Sequence, residues 1–439
     1  MTGHLLFDLD SSKAGPLGPD GYGTGGQAKG EVNRKRGLHL VVKLEAKVQL
    51  LVSAGEASGD LYASGVVSSL ARRLPNLTFY GCAGPRLQAA GVNPVIDAAS
   101  LAVVGLAEVV GHLPSIYGEY RRLCRYAVEH PPVGALLTDS PDFHLRVARQ
   151  MKARGVPVYY LVAPQVWAWR QGRVKTIREL VDKLFCLFPF EEEWFRARGV
   201  DATYIGHPLA YLAKVRSTRA EFLERYALPA GKQMVVLLPG SRTGEAARHL
   251  PILLDAVREL RKRFSLTTVL ATPKGFSKAA ALERFREPIA ALSIKVIEND
   301  TWDCIGHADL ALAASGTVTV EAAVLGTPMV TFYRVTSLSW LAGRRLVKVP
   351  FLSMVNLIAG RQIVPELIQH DMTASNIVRD AEQLLTDSRK AERMREDLAR
   401  VRTSLGSDGN PLERAAEIIG DSLRTRMSPN ASMEAFGRK

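Results

Sequence analysis

Cysteine is scarce in this 439-residue chain: Cys82, Cys124, Cys186 and Cys304 stand far apart and form no C-x-x-C pair. A disulfide framework is therefore not expected, and without a His cluster at ligand spacing neither is a zinc site. Such usage fits a reducing compartment. No run of 18 apolar residues occurs, and the first thirty residues lack the apolar core of a signal peptide. Membrane spanning and secretion are thus not expected, and the cytoplasm is the expected location. Also missing is the G-x-x-x-x-G-K-[ST] loop of kinases and ATPases.

Acidic residues are in deficit, 44 against 57 Lys and Arg, which leaves a formal charge of +13. That balance favours an anionic partner, whether nucleic acid, a membrane surface or a phosphorylated substrate, without choosing among them. Hydrophobic residues at 47% and charged residues at 23% permit a large core. At about 150 residues per domain, the length implies two or three domains.

Residues 1–46 are Gly-rich (GPLGPDGYGTGGQAKG) and then basic (Arg34-Lys35-Arg36), and read as a disordered extension. Residues 21–26 match G-x-G-x-x-G, but no apolar strand precedes them and no helix follows, so the dinucleotide reading fails. Asp8-Leu9-Asp10, a D-x-D triplet, lies in the same segment and carries little weight.

From Lys47 a unit repeats, an apolar strand ending in Gly, Ser, Pro or Asp and then a helical period. VQLLVSA precedes GEASGD, VGALLTD precedes SPDF, and VPVYYLVA precedes PQVWAW. After a linker at 212–231 the pattern restarts with MVVLLPG, LTTVLAT, IKVIEND, ADLALAA and MVTFYR. The expected fold class is α/β, with two doubly wound, Rossmann-like domains at 47–211 and 232–387 facing a central cleft. Helices and a frayed tail follow over 388–439.

Ligands of such sheets sit beyond the carboxyl ends of the strands, where the informative loops lie. Pro239-Gly240-Ser241-Arg242 offers N–H groups, a hydroxyl and a guanidinium to a phosphate, although a tight turn with a surface Arg would look the same. Ser315-Gly316-Thr317 opens a helix and offers a second anion seat. Glu321 follows one turn after Thr317, placed either for ribose hydroxyls or as a surface residue favoured by the helix dipole. Two such loops and a carboxylate in one domain suggest a nucleoside diphosphate.

The first domain offers carboxylates. Glu56 and Ser58 sit among small residues that let a substrate approach, and Asp60 is either a cap or a ligand. Asp139 follows the strand GALLT and would protrude into the cleft, where it could take a proton from a hydroxyl. Asp142, after Pro141, reads better as capping chemistry. Trp167 and Trp169 could form a sugar-stacking or acyl-facing wall, or be core. Arg170, Arg173, Lys175 and Arg178 make a basic strip that could meet phosphate or headgroups, or be a solvated helix face.

Taken in order, GEASGD, SPDF, VWAWRQGRV, LPGSR, AASGT with Glu321, and VNLIAGR resemble the lipid-A-disaccharide synthase family over roughly Val48 to Asp387. The resemblance implies a GT-B glycosyltransferase that joins a UDP-diacylglucosamine donor to a diacylglucosamine 1-phosphate acceptor. The product would be a β(1→6) disaccharide, with UDP released. It further implies Asp139 as base toward the acceptor 6-hydroxyl, with Glu56 and Ser58 positioning sugar or acceptor. Ser241, Arg242, Ser315, Gly316, Thr317, Glu321 and Asn356 would hold UDP. His144 stands where the family pattern has Asn, which puts a role for that position in doubt. An α-linked donor and a β product imply one inverting displacement, with no metal and no cofactor.

The implied partners are the two acylated substrates and the inner-membrane surface, not nucleic acid, with room for a homodimer. The protein would then attach peripherally on the cytoplasmic face. The apolar run Leu101–Gly111 is a candidate contact, or else a buried helix, with Arg170, Arg173, Arg344, Arg345 and Lys348 reinforcing attachment. Two rivals remain at this point: a UDP-sugar epimerase of the same architecture, and a non-enzymatic membrane-binding protein.

Overall fold

Strands that are apolar at nearly every position suit parallel sheets covered on both faces, and these strands are used that way. The computed structural model describes residues 48–101, 106–273, 275, 279–336, 340, 349–406 and 408–427. Among the described residues, the first sheet holds β1 (Val48–Ala54), β2 (Leu77–Ala83), β3 (Val92–Asp97), β4 (Gly134–Thr138), β5 (Val158–Leu161), β6 (Lys183–Cys186) and β7 (Ala202–Tyr204). Their order is β3-β2-β1-β4-β5-β6-β7, all parallel. The second holds β8 (Gln233–Leu238), β9 (Leu266–Thr272), β10 (Lys295–Glu298), β11 (Leu310–Ala314), β12 (Met329–Tyr333) and β13 (Glu366–Ile368), in the parallel order β10-β9-β8-β11-β12-β13. The two sheets confirm the expected α/β class.

In each sheet the order reverses once, between β1 and β4 and between β8 and β11. Chains leaving two such neighbouring strands diverge and open a crevice at their carboxyl ends. The loops carrying Glu56, Asp139, Arg242 and Ser315 all leave those four strands. Topology alone therefore gathers the candidate chemistry.

Two stretches join the domains. The chain passes forward near His207, whose N–H bonds the Leu405 carbonyl at 2.9 Å, and returns after Leu405. The helix Ser388–Leu405 packs on Thr317–Leu325 in the second domain. The last helix, Pro411–Met427, crosses back and packs on Ala57–Arg73 of the first. There Tyr159 donates to Ser422 Oγ at 2.7 Å.

Some elements depart from the pattern read in the sequence. The segment 212–231 is no bare linker: it carries a helix, Arg219–Arg225, started by a capping box of Thr218 and Glu221. Phe222 and Tyr226 anchor that helix against His307 and Asp300 of the second domain. Strands β2 and β3 escaped notice because Gly81 and Pro94 interrupt them. A Cβ at Gly81 would stand 1.8 Å from the Val52 carbonyl, so glycine is what lets β2 lie against β1 there.

Among the described residues no helix is long and apolar enough to cross a membrane. The extension 1–46, the side chains of the apolar run at 102–113, and Arg344, Arg345 and Lys348 lie outside the described residues.

Candidate active site in the cleft

Asp139 is the first residue after β4, and its carboxylate is received by the loop after β1. Gly55 N–H donates to Oδ1 at 2.9 Å and Glu56 N–H to Oδ2 at 3.1 Å. Two glycines make that seat possible. A Cβ on Gly59 would fall 1.7 Å from Asp139 Oδ2, and one on Gly55 2.4 Å from Ser140 Oγ. Burial first, and then the charge of Glu56, raise the Asp139 pKa well above the ordinary carboxylate range, against the two N–H donors that lower it. The result is a carboxylate with heightened proton affinity at the crevice.

Its neighbour Ser58 is half-buried in the first turn of the helix Ala57–Arg73. Asp60, left open as cap or ligand, is a cap: its oxygens accept from Arg86 N–H at 2.9 Å and Leu87 N–H at 3.1 Å. His144 is fully buried, with Nε2 at 2.7 Å from Ser53 Oγ and Nδ1 at 3.0 Å from the Asp139 carbonyl. Burial lowers its pKa to about 4, so the ring is neutral at pH 7.

The opposite wall comes from the second sheet. Arg242 is the N-cap residue of the helix Thr243–Arg263, and its Nη2 reaches Glu56 Oε1 at 2.9 Å across the cleft. Ser241 is exposed beside it. Gly240 holds φ +116°, and a Cβ there would stand 2.3 Å from Glu245 Oε2. At the second loop, Gly316 and Thr317 are exposed at the start of Thr317–Leu325, whose first N–H groups have no partner within the helix. Ser315 is committed differently: its N–H bonds the Phe332 carbonyl at 2.8 Å and its hydroxyl the Leu352 carbonyl at 3.0 Å. Glu321 lies deeper, with its pKa raised by burial to about 7 and a Trp302 hydrogen bond opposing the rise. From the first domain, Tyr62 feels its charge.

One expectation needs correction, and two open alternatives are decided. Asn356 does not offer a free amide to a ligand: Nδ2 donates to Val364 O at 3.0 Å and Glu366 Oε1 at 2.7 Å, while Oδ1 accepts from Ile363 and Val364 N–H. It is fully buried, and its four inward hydrogen bonds brace the helix Met354–Ala359 against residues 363–366. Trp167 is core: it is buried against Phe190, and its indole donates to Glu191 Oε1 at 3.0 Å. The basic strip is not uniformly free, since Arg173 bonds Asp142 and Arg170 lies 3.8 Å from the same oxygen. Lys175 and Arg178 are exposed.

Sequence reasoning missed Glu366, whose carboxylate accepts from Leu352 and Ser353 N–H at 3.0 Å each and organises the turn before Met354–Ala359. It missed Tyr160 too, whose hydroxyl bonds the Asp139 carbonyl. In the sequence Tyr160 is one more aromatic residue in a strand, and no local signal marks it.

A family model described as lipid-A-disaccharide synthetase matches residues 50–417. The chain belongs to the lipid-A-disaccharide synthase family. It is 55% identical over 380 residues to the lipid-A-disaccharide synthase of Solibacter usitatus, covering 87% of this chain and 99% of that one. With that of Koribacter versatilis it shares 42% over 379 residues, covering 86% and 98%. Among solved structures, UDP-GlcNAc 2-epimerase from Neisseria meningitidis bound to UDP-GlcNAc superposes with a TM-score of 0.57 at 14% identity, covering 86% of this chain and all of that one. A ugt transferase from Siraitia grosvenorii in complex with UDP gives 0.52 at 12% identity, again over 86% and 100%. At such identities these two share the fold alone, the two-domain arrangement of GT-B glycosyltransferases and related epimerases.

Membership makes the protein a lipid A disaccharide-forming, UDP-sugar-dependent glycosyltransferase. Family identity over most of the chain decides between this enzyme class and the two rivals, which shared architecture did not separate.

Proposed function

We propose that this enzyme joins UDP-2,3-diacylglucosamine to 2,3-diacylglucosamine 1-phosphate, giving the β(1→6) disaccharide 1-phosphate and UDP in one inverting displacement. The supporting observation is that the Asp139 carboxylate and the Arg242 guanidinium, carried by different sheets, meet at one residue: Glu56 bonds the first through its N–H and the second through its carboxylate. A base and a diphosphate-binding cation on facing walls are what transfer to a hydroxyl requires.

In this reading the acceptor 6-hydroxyl oxygen attacks the anomeric carbon as the bond to UDP breaks, and Asp139 takes the hydroxyl proton. Its raised pKa strengthens it for that task. Negative charge developing on the departing diphosphate is met by Arg242, the Ser241 hydroxyl and the N–H groups of Gly316 and Thr317. Glu321 would take ribose hydroxyls, and Glu56 and Ser58 would position the sugars. Ser315 and Asn356 then act from behind, by fixing the loops at 315–317 and 352–366. The cationic and backbone donors carry the diphosphate charge, so the reading calls for no metal. Acyl chains on both substrates call for access to the cytoplasmic face of the inner membrane, and the net charge of +13 suits an anionic leaflet.

The test is UDP release from UDP-2,3-diacylglucosamine with and without the acceptor, with the lipid product analysed by mass spectrometry and NMR. Release that requires the acceptor and gives a β(1→6) linkage is expected. Conversion of the donor without acceptor, or an α linkage, would overturn it.

A further inference from the structure

Asp139 and Ser140 both hold left-handed backbone conformations, with φ of +53° and +35°, although neither is glycine. Each such residue costs on the order of 1–3 kcal/mol and persists only where its surroundings over-determine it. The source of that constraint is visible at one atom. The Asp139 carbonyl oxygen receives the Tyr160 hydroxyl from β5 and His144 Nδ1 from the next turn of chain at 3.0 Å. Both side chains are fully buried.

A carbonyl only accepts, so Nδ1 carries the imidazole proton and Nε2 is left with its lone pair. Ser53 Oγ, 2.7 Å from Nε2, must then be the donor, which ties the ring to the end of β1. Both lone pairs of the carbonyl are thereby occupied, one from β5 and one from the helix Pro141–Lys152. The clamp fixes the peptide after Asp139 and, through it, the direction in which the carboxylate leaves toward the Gly55 and Glu56 N–H groups.

We propose that Tyr160 and His144, the latter braced by Ser53, are positioning residues for the transfer reaction, holding Asp139 in the strained backbone conformation that aims its carboxylate into the cleft. The proposal rests on the reading of Asp139 as the base. Around the imidazole stand the Asp139 carboxylate, 3.9 Å from Nδ1, the Thr138 carbonyl, the Phe143 ring and the Ser53 hydroxyl, which also meets the Cys82 thiol. Around the Tyr160 hydroxyl the charges of Asp139, Asp142, Glu56 and Arg173 are felt. A carboxylate that leaves this seat changes both the burial that raises its pKa and the N–H donation that lowers it, so a loosened clamp displaces the acid limb of turnover. A residue that served stability alone would leave that limb in place.

The experiment compares the full-length parent with Tyr160→Phe, His144→Leu, His144→Asn and Asp139→Asn, measuring kcat, KM, the pH profile and UDP affinity. Tyr160→Phe and His144→Leu are expected to lower kcat by about ten- to a hundredfold, with KM and UDP affinity within about twofold and the acid limb displaced. In His144→Asn the amide nitrogen stands where Nδ1 does, so turnover lost in His144→Leu should largely return. Unchanged UDP affinity certifies that each variant is folded. Near-parental turnover in Asp139→Asn would overturn the base assignment and this proposal with it. An inactive Asp139→Asn beside near-parental kcat and an unmoved pH profile in the clamp variants would overturn this proposal alone.

Discussion

Arg242 Nη2 donates to Glu56 Oε1 at 2.9 Å, so the cation proposed to meet the donor diphosphate already holds a carboxylate of the facing domain. Both side chains are more than a third exposed, and such a pair contributes only about 0–1 kcal/mol. A diphosphate must compete with Glu56 for the guanidinium. Glu56→Gln should therefore bind UDP about two- to fivefold more tightly at low salt, with the gain shrinking as salt screens the pair. Titration calorimetry at two ionic strengths would measure this. Weaker binding would mean that Glu56 instead holds Arg242 toward the donor.

Removing the other partner has the opposite sign. Arg242→Ala should weaken UDP binding by about tenfold or more, the order expected for a charge-assisted hydrogen bond, and should also slow turnover. Arg242→Lys would recover charge but not the planar fork, and so only part of the affinity. Unchanged UDP affinity in Arg242→Ala would remove this residue from the donor site.

What the sequence made legible follows a physical division. Apolar strands ending in small or polar loops announce a parallel sheet, and topology then places Glu56, Asp139, Arg242 and Ser315 at the crevices. Residues whose role is set by distant partners carry no such mark. Asn356 draws a ligand role from the resemblance of VNLIAGR alone, and only the positions of Val364 and Glu366 commit its amide inward. Trp167 stays open between wall and core in the sequence because its partner Glu191 is 24 positions on, past a helix and a strand. Tyr160 and Gly59 serve Asp139 through contacts that span 21 and 80 positions, beyond any local pattern.

The pH profile of turnover should carry the Asp139 signature. Its raised pKa means that the base form is gained only as pH climbs past the ordinary carboxylate value near 4, so kcat should rise with pH along a displaced acid limb. Glu56 is the second cause of the shift, and Glu56→Gln should move that limb to lower pH. A limb unmoved by Glu56→Gln would detach the two carboxylates from one another.

Stability in acid should depend on buried histidine. His207, fully buried at the domain crossing, has its pKa lowered by burial from 6.5 to about 3. A folded-state pKa below the unfolded value gives stability that is full above pH 6.5 and is lost as pH falls toward 3. Each unit is about 1.4 kcal/mol. His207→Asn retains an acceptor for the Leu209 N–H and cannot ionise, so its urea-unfolding free energy should fall less steeply than the parent's between pH 6.5 and 4. Glu191 and Glu321, raised to about 7, act in the opposite sense in both proteins and cancel in the difference. Parallel curves would show that His207 is not the titrating group.

Two glycines in helices separate a general propensity effect from a specific one. Replacing a helical glycine by alanine ordinarily stabilises by about 0.5–1 kcal/mol. Gly118, exposed in the helix Leu106–Glu129, has nothing within 4 Å of a built Cβ, so Gly118→Ala should raise the melting temperature by about one to two degrees with turnover intact. Gly59 lies in the helix Ala57–Arg73, where a Cβ would stand 1.7 Å from Asp139 Oδ2. Gly59→Ala must therefore expel the carboxylate from its seat on the Gly55 and Glu56 N–H groups or move the helix that carries residue 59. Turnover should fall by at least about tenfold while UDP affinity, set on the facing wall, stays within about twofold. If Gly59→Ala behaves like Gly118→Ala, the carboxylate can leave that seat without cost, and the close fit between the two loops has no part in the reaction.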